Sequence, residues 1–475
     1  MERATQNSFF SDSEKPDYSD REFGQDPDTE KDIERGPAPR SPASSRAASE
    51  TADATPEPAT TDATAPAKAP GSGIPDGGWD AWLQVIGSWV ILVDTWGLIN
   101  TFGVFQTYYE TELLPDTPSS SISWIGSLQG SLLMLVGVIS GPLYDAGYFR
   151  HLVAGGLFLI VLGQFMTSLC KTYWQLLLAQ GICIGVGMGL SFLPSAAILA
   201  QYFHKRRALV LGLSSSGSPL AGIVFPIIFS RLQPRIGFGW ATRVIAFILL
   251  GISVIPVVFM KTRIPANKGK KRSFIDTSAL RDVPYMLFVV GCFFGFLVLY
   301  VAFFYTQLFD VTHHLSSLDF APYTVTMLNV GSVFGRVLPN YFADKVGSLN
   351  VLIVCASTSA VLLFGWMGIH NLGGLIVFAL LYGLFSGGLV SVTPSVVMGL
   401  TPDLSKMGAR MGVTFLASGI SILVGTPIAG AIVGDFSRER WLGVMGYAAA
   451  GLILGASFYV AARILLYKKK GGWRA

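Results

Sequence analysis

The sequence predicts an all-helical membrane protein, with twelve transmembrane helices in two pseudo-symmetric halves of six. Composition is the first observation, because 51% of the 475 residues are hydrophobic and only 13% are charged, whereas soluble domains carry about 25% charged residues. The second is a series of apolar segments of about 20 residues, the length that spans a bilayer as a helix. The third is an internal repeat at an offset of about 200 residues, which indicates a parallel duplication of one unit.

Small residues and prolines carry the repeat. They return in the same order, with Gly187, Ser191, Pro194 and Ser195 matched by Gly387, Ser391, Pro394 and Ser395, and Gly212 and Ser218 matched by Gly412 and Ser418. Parallel repeats of six helices with a substrate site between them are the build of many secondary transporters. Because Pro194 and Pro394 occupy matching positions, we expect helix discontinuities there, acting as bending elements during gating.

Twelve apolar segments are predicted to cross the bilayer as helices, because no backbone group can stay unpaired in lipid. They cover residues 81–106, 121–143, 150–169, 173–200, 207–231, 240–261, 285–309, 320–342, 349–369, 373–400, 408–434 and 441–467. These segments leave no room for a soluble catalytic domain between residues 79 and 467.

The regions outside the two halves differ from them in charge. Residues 1–78 hold 16 acidic against 8 basic residues and are rich in Pro, Ala, Ser and Thr, so we predict a disordered acidic tail without the apolar stretch of a signal peptide. The halves, 79–261 and 285–467, are separated by a basic linker, 262–284, and followed by a basic C-terminus, 468–475.

Basic residues orient the predicted bundle. The loops after the even-numbered segments are rich in Lys and Arg, whereas the opposite loops hold only Lys171, Arg231, Arg235, Arg438 and Arg440. By the positive-inside rule, both termini are expected in the cytoplasm. In the absence of a targeting motif, the expected location is the plasma membrane, with the vacuolar membrane as the alternative.

Motifs for catalysis are not found in the sequence. The four cysteines fall in or beside apolar segments without metal-ligand spacing, and there is no phosphate-cradling loop. We therefore expect no enzyme activity, no cofactor, no metal and no nucleic-acid partner. The expected partners are a small-molecule substrate and the lipid bilayer, around a monomeric transport unit.

Several short motifs resemble a known family. Residues 75–79 read Pro-Asp-Gly-Gly-Trp directly before the first segment, residues 145–150 read Asp-Ala-Gly-Tyr-Phe-Arg, and Gly335-Arg336 lies in the eighth segment. Together with Lys205-Arg206-Arg207 and Asp344-Lys345-Val346-Gly347, they resemble the monocarboxylate transporter family of the major facilitator superfamily. The run 97–105, followed by Tyr108-Tyr109, is similar to its fungal members. The resemblance covers about residues 75–467 and implies the major facilitator fold.

Charges in the turns at one end of the bundle are predicted to form a gate. Asp145 and Arg150 lie in a tight turn, and Asp344 and Lys345 lie in the matching turn of the second half. A carboxylate there can cap a helix or pair with a basic residue of a neighbouring helix. Such pairs would hold the gate in one conformer and break in the other.

Two charges inside the spans are the sharpest functional candidates, because a charge at the bilayer centre costs roughly 3 kcal/mol or more. Asp94, in the first segment, is a candidate carrier of a coupling proton, and hydrogen bonding to neighbouring helices is the alternative. Arg336, in the eighth segment, can bind a substrate carboxylate with two parallel hydrogen bonds. Its alternative is an ion pair that only packs helices.

The sequence departs from the proton-coupled monocarboxylate transporters at two charged positions. The family has a Lys near the end of the first helix and an Asp one turn before the eighth-helix Arg, and the matching residues here are Asn100 and Ser332. Fungal relatives include transporters of larger metabolites, which agrees with the polar and aromatic residues expected in the cavity: Asn100, Gln129, Gln180, Tyr300, Tyr305, Gln307 and Asn329.

The expected function is secondary active transport of a small organic solute, an organic anion above all, by alternating access and with possible proton coupling. One alternative is an exporter of a fungal secondary metabolite that works by proton exchange. Another, of a different class, is a nutrient sensor that keeps the fold and transports nothing.

Overall fold

The computed structural model describes residues 76–203, 207–263, 277–401 and 406–470. The tail predicted for 1–78 lies outside these residues up to position 75, as do most of the predicted linker and residues 471–475. We call 76–263 the N-terminal segment and 277–470 the C-terminal segment, in each case meaning their described residues. Throughout both segments the regular secondary structure described is helical.

The helices follow one another with short connections. In chain order they are α1 Trp79–Leu113, α2 Ser119–Asp145, α3 Phe149–Thr167, α4 Tyr173–Tyr202, α5 Arg207–Ser215, α6 Gly217–Phe259, α7 Thr277–Leu280, α8 Val283–Thr312, α9 Pro322–Val346, α10 Ser348–Trp366, α11 Leu372–Leu400, α12 Met407–Val433 and α13 Arg438–Lys470. Apart from α5 and α6, most ends lie within a few residues of the predicted ones, and the largest of these differences is at α1, which continues to Leu113 instead of residue 106.

Within the described ranges, ten helical stretches are long and apolar enough to cross a membrane, where the sequence predicted twelve. The predicted segments 207–231 and 240–261 fall in one apolar stretch, Leu209–Phe259. The predicted segment 320–342 corresponds to α9, whose apolar character is diluted by buried Asn329 and Arg336. The difference in count therefore comes from one merged stretch and one unusually polar helix.

Gly237 interrupts the merged stretch. Helix α6 is 43 residues long, which would extend about 65 Å as a single rod, roughly twice the hydrocarbon thickness of a bilayer. At Gly237 the backbone leaves helical geometry with φ 78° and ψ 164°. Only glycine adopts this conformation without strain, so the chain changes direction there.

The helices that contain Pro194 and Pro394 continue through these residues without a break. The predicted discontinuities are therefore not found. A membrane helix tolerates the loss of the one hydrogen bond that proline removes when neighbouring groups satisfy the freed backbone carbonyl. Irregular backbone occurs instead as π-helical turns at Val93–Gly97, Tyr109–Leu113 and Leu177–Cys183. Such turns are rare and are often found at functional positions.

Glycines allow α9 and α11 to pack backbone against backbone. A Cβ atom at Gly331 would lie 2.0 Å from the carbonyl oxygen of Leu380, and one at Gly383 would lie 1.9 Å from that of Leu328. Small residues at such contacts are what joins helices in lipid, where the hydrophobic effect no longer drives association. The contact fixes α9, the helix that carries Arg336, firmly within the C-terminal segment.

Candidate substrate cavity

A cavity of about 640 Å³ lies between the N-terminal and C-terminal segments. Its walls come from α1, α2, α4 and α5 on one side and from α8, α9, α11 and α12 on the other. It extends to the helix ends at one end of the bundle, where Asp145, Met398 and Met407 line it. We call this the Asp145 end and the opposite one the Glu110 end. The volume is within the range of about 300–1,000 Å³ that is typical of ligand pockets.

Hydrogen bonds between the two segments close the bundle at the Glu110 end. The Tyr305 hydroxyl of α8 hydrogen bonds to Ser119 and Ser123 of α2, at 3.3 and 2.5 Å. It also lies 3.4 Å from the backbone carbonyl of Thr426 in α12. The Thr426 and Ser127 hydroxyls form a further hydrogen bond between α12 and α2. We call these five residues the Tyr305 seal.

A carboxylate supports the seal from α1. One Glu110 oxygen, Oε1, accepts hydrogen bonds from Gln106 and Ser119, both at 2.8 Å. The second oxygen is buried and has no hydrogen-bond partner within the described residues. Close backbone approach also matters, because a Cβ atom at Gly430 would lie 2.6 Å from the Tyr305 hydroxyl and 2.7 Å from the Ser120 backbone. The two segments are therefore tightly joined at this end.

Arg336 lies in the wall of the cavity with only 4% of its surface exposed. Its Nη2 donates to the Ser218 hydroxyl at 3.2 Å, and that hydroxyl also accepts from Asn100 at 3.1 Å. Its Nε has no hydrogen-bond partner, and no carboxylate of the described residues is within ion-pair distance. A guanidinium has five N–H donors, so most of the hydrogen-bonding capacity of Arg336 is left for a ligand.

Aromatic rings form much of the remaining wall. Trp96, Phe192, Phe296 and Phe415 all line the cavity, and we call them the aromatic wall. The Trp96 and Phe192 rings meet edge to face with centroids 5.8 Å apart, and the Phe192 and Phe415 centroids are 6.4 Å apart. Behind the wall, Tyr300 stacks on Trp96 at 6.3 Å. The cavity thus combines a buried cation with a mainly apolar, aromatic surface.

The structure brings several of the predicted residues to this cavity. Arg336, Asp145, Pro194 and Pro394 line it directly. Asn100 is connected to Arg336 through the shared Ser218 hydroxyl. Tyr300 is one layer further out, behind Trp96.

Other predicted binding residues lie away from the cavity. Tyr305 belongs to the seal, and Gln129 lies where α2 packs on Gly185 of α4. Asn329 packs against Gly222 of α6, and its amide donates to the backbone of its own helix. Polar side chains in membrane helices commonly form their hydrogen bonds at contacts between helices. Polarity alone therefore did not identify the residues that line the cavity.

Two further glutamines that were predicted for the cavity, Gln180 and Gln307, also lie outside its lining. Gln180 accepts a hydrogen bond from the Tyr109 hydroxyl at 2.7 Å, within the N-terminal segment. Gln307 is buried in α8, with its side-chain oxygen unpartnered among the described residues. Neither residue therefore contributes to the cavity in this structure.

Asp94 lies in the π-helical turn Val93–Gly97, fully buried between α1 and α6. One carboxylate oxygen accepts a hydrogen bond from Ser253 at 2.8 Å, and the other has no hydrogen-bond partner among the described residues. Asp94 does not line the cavity, whereas Trp96, two residues later in the same turn, does. Both alternatives for Asp94 stay open. The hydrogen bond from Ser253 fits a role in helix packing, and the unpartnered oxygen fits a group that binds a proton.

The predicted gating charges differ in exposure. Asp145 is half-buried at the mouth of the cavity, whereas Arg150, Asp344 and Lys345 are exposed. Lys345 donates to the Tyr341 hydroxyl at 2.7 Å, one turn earlier in its own helix. Their role in gating stays a prediction.

Sequence reasoning did not select several residues that the structure makes prominent. Ser218 was noted only as part of the repeat, although its hydroxyl links Asn100 to Arg336 and its repeat partner Ser418 lines the cavity. Trp96 is one helical turn before Asn100, a spacing that places both on one helix face and could have identified it. Glu110 was not considered, because the first segment was predicted to end at residue 106.

These features together define a class of protein. Long apolar helices surround a cavity that reaches one end of the bundle and is closed at the other, with a cation buried in its wall. This is the arrangement of a membrane transporter in one of its conformations.

Comparison with known proteins also indicates a membrane transporter. The profile of the Major Facilitator Superfamily matches residues 82–425. The chain is 43% identical to an MFS-type transporter, dbaD, of Emericella nidulans over 78% of this chain and 83% of that protein. It is 38% identical to the MFS-type transporter pynF of Aspergillus niger over 80% and 89%, respectively. It is also 34% identical to the aspyridones efflux protein apdF of Emericella nidulans over 84% and 80%. The chain belongs to the major facilitator superfamily and is a multi-pass membrane transporter.

Proposed function

We propose that this transporter exports organic anions and that Arg336 binds their acid group. The observation that carries the proposal is a buried guanidinium in the cavity wall whose Nε has no hydrogen-bond partner and which has no ion-pair partner within the described residues. A charge in such a position is costly without compensation, and a bidentate carboxylate supplies it. The ion pair proposed as the alternative role has no acidic partner in the described structure.

The proposed mechanism is alternating access between two halves of six helices. Twelve crossings result when α5–α6 is divided at Gly237 and polar α9 is included, so that the halves are 79–261 and 285–467. Both termini are then cytoplasmic, because the basic loops lie at the Asp145 end. In this arrangement the cavity is open to the cytoplasm, and the Tyr305 seal closes the outer side.

Proton exchange is the proposed driving process, with Asp94 as the candidate carrier. Its unpartnered oxygen and its place in a π-helical turn beside Trp96 support this role. Protonation there could change how α1 packs against α6, and α1 also carries Asn100 and Trp96 to the cavity. The likeness to monocarboxylate transporters supports an acidic substrate, whereas Asn100 and Ser332 stand where that family has charged residues.

The export direction is supported by a relative. The aspyridones efflux protein is 34% identical to this chain over most of both lengths. From that relative we extend to this chain only the direction of transport and the broad class of substrate, an organic metabolite that leaves the cell. We accordingly place the protein in the plasma membrane.

Transport measurements on the full chain in proteoliposomes test the proposal. Uptake of labelled benzoate and 2-naphthoate, each compared with its neutral amide, would be recorded with and without a pH gradient. The variant Arg336→Gln should reduce carboxylate flux by at least about tenfold, because hydrogen bonds to charged groups contribute about 1.5–3 kcal/mol. Amide flux should change far less.

Arg243→Gln is the matched control. Arg243 donates to Ser168 at 3.1 Å and lies over the Trp240 ring, near the Glu110 end and outside the cavity lining. Carboxylate flux should be unchanged in this variant. Equal flux in Arg336→Gln and the native protein, with both correctly folded, would refute the role of Arg336, and the absence of flux for every acid would refute the anion proposal.

A further inference from the structure

The cavity holds very few charges beside its many apolar groups. Of the described residues that line it, only Arg336 and Asp145 are charged, and Asp145 lies at the mouth. The four residues of the aromatic wall come from four different helices, two in each segment. A substrate that fills this space therefore needs one acid group and a body that is largely apolar.

The acid position and the aromatic wall are close to each other. Trp96 and Asn100 are four residues apart on α1, about 6 Å along a helix, and on the same face. Asn100 shares the Ser218 hydroxyl with Arg336. Trp96 and Arg336 also line the same cavity, so a ligand whose acid group binds Arg336 has the Trp96 ring in the same enclosed space.

The aromatic wall is held in place by further rings. Trp96 is stacked on Tyr300 with an interplanar angle of 18° and meets Phe192 edge to face. Only 3% of the Trp96 surface is exposed, so its orientation is set before any ligand arrives. Ordered aromatic surfaces favour flat aromatic partners, because aromatic pairs gain energy beyond the burial of area.

We propose that the cavity selects organic acids with a planar aromatic ring next to the acid group, with the ring packed against the aromatic wall. This specificity rests on the proposed function, because Arg336 must bind the acid. Trp96, Phe192 and Phe415 determine the preference for the ring, and an aliphatic acid of equal size binds more weakly.

The same contact links binding to movement. Phe192 belongs to α4 and Phe415 to α12, so the ring pair spans the N-terminal and C-terminal segments. A ring that packs against both contacts both segments at once. Its binding free energy then depends on their relative position, which is the requirement for a ligand to shift a conformational equilibrium.

The test compares two acids with the same carbon skeleton, one with a flat aromatic ring system and one with a saturated, puckered one. Binding of labelled 2-naphthoate and decahydro-2-naphthoate to the purified full-length protein would be measured by equilibrium dialysis. The native protein should bind 2-naphthoate about 3- to 10-fold more tightly, the range expected for aromatic pairing. Trp96→Leu should remove this difference while still binding both acids.

Further variants keep the test decisive. If Trp96→Leu does not fold, Phe192→Leu and Phe415→Leu serve instead, and each should reduce the preference. Phe294→Leu is the control, since Phe294 stacks on Phe458 within the C-terminal segment and does not line the cavity. That variant should keep the full preference for 2-naphthoate.

The outcomes separate this inference from the proposed function. Equal affinity for the two acids in the native protein, or no saturable binding of 2-naphthoate, overturns the role of the aromatic wall. If Arg336→Gln weakens the binding of both acids equally and the native protein shows no preference for the aromatic acid, the anion site stands and the ring specificity fails. If Arg336→Gln changes neither affinity, the anion site itself fails.

Discussion

The two ends of the bundle are held by different chemistry. At the Glu110 end, hydrogen bonds between the hydroxyls of Tyr305 and Ser119, Tyr305 and Ser123, and Ser127 and Thr426 join the N-terminal to the C-terminal segment. At the Asp145 end, the two ion pairs formed among the described residues, Lys261–Asp80 and Arg410–Asp282, each stay within one segment. The sealed end is therefore joined by short neutral groups, and the end where the cavity emerges is reinforced separately on each side.

This difference indicates which contacts must change during transport. Hydroxyl contacts at the Glu110 end can be exchanged for water at small net cost, because typical hydrogen bonds contribute only about 0.5–1.5 kcal/mol. Ion pairs within a segment can persist while the segments move as rigid bodies. The seal is then the part that opens, and the ion pairs are parts that do not.

The largest expected effect comes from locking the seal. Ser127 and Thr426 are in direct hydrogen-bond contact across the segments, so cysteines at both positions should form a disulfide under oxidation. The oxidised Ser127→Cys/Thr426→Cys protein should lose at least about 90% of its flux, because alternating access requires these helices to separate. A reducing agent should restore it.

The background for this experiment is favourable. The four native cysteines are free, and three of them are buried. Cys170, between α3 and α4, has its thiol pKa raised by burial, which makes it a weak nucleophile near neutral pH. Each single-cysteine variant serves as a control, and full flux in the oxidised double variant would show that the seal does not open during transport.

A smaller effect is expected at the ion pair of the C-terminal segment. Arg410 pairs with Asp282 at 3.0 Å, donates to the Leu400 carbonyl at 2.9 Å and lies over the Tyr285 ring. Its side chain is 5% exposed. Arg410→Gln should lower the free energy of unfolding by about 2–4 kcal/mol, because it leaves the half-buried Asp282 carboxylate and the Leu400 carbonyl without their charged partner. Thermal unfolding in detergent measures this loss.

The ion pair of the N-terminal segment provides the contrast. Lys261 and Asp80 are 3.2 Å apart with side chains 56% and 65% exposed, and pairs this exposed contribute at most about 1 kcal/mol. Asp80→Asn should therefore leave the melting temperature nearly unchanged. Equal destabilisation by the two variants would contradict the view that burial decides the strength of these pairs.

The helical architecture could be predicted from the sequence because lipid restricts the backbone to helices and apolar length sets their span. Arg336 could be selected as a functional candidate because a lone cation in an apolar segment is costly in lipid. The ends of α1 and the position of Glu110 could not be predicted, because π-helical turns and an acidic residue near a helix end leave no periodic signal. Local composition also does not record which residues of distant helices meet.

Tyr305 illustrates that limit. It was predicted to line the cavity on the basis of its type and span. In the structure it lies in the seal, because α2 and α12 bring the hydroxyls of Ser119, Ser123 and Thr426 to it from positions far along the chain. A sequence pattern contains no information about those partners. A buried tyrosine in a span could therefore line the cavity or join two helices, and its residue type alone did not distinguish the two positions.

A modest expected effect tests the position of Tyr305 directly. Tyr305→Phe removes only the hydroxyl that joins the segments, so the equilibrium should shift by about 1 kcal/mol towards the form open at the Glu110 end, a factor of about five. The rate at which a membrane-impermeant maleimide labels Ser120→Cys should rise by that factor. Tyr382→Phe is the matched control, since the Tyr382 hydroxyl donates to Leu299 within the C-terminal segment. A similar rise in both variants would indicate general loosening, and only a rise confined to Tyr305→Phe assigns this hydroxyl to the seal.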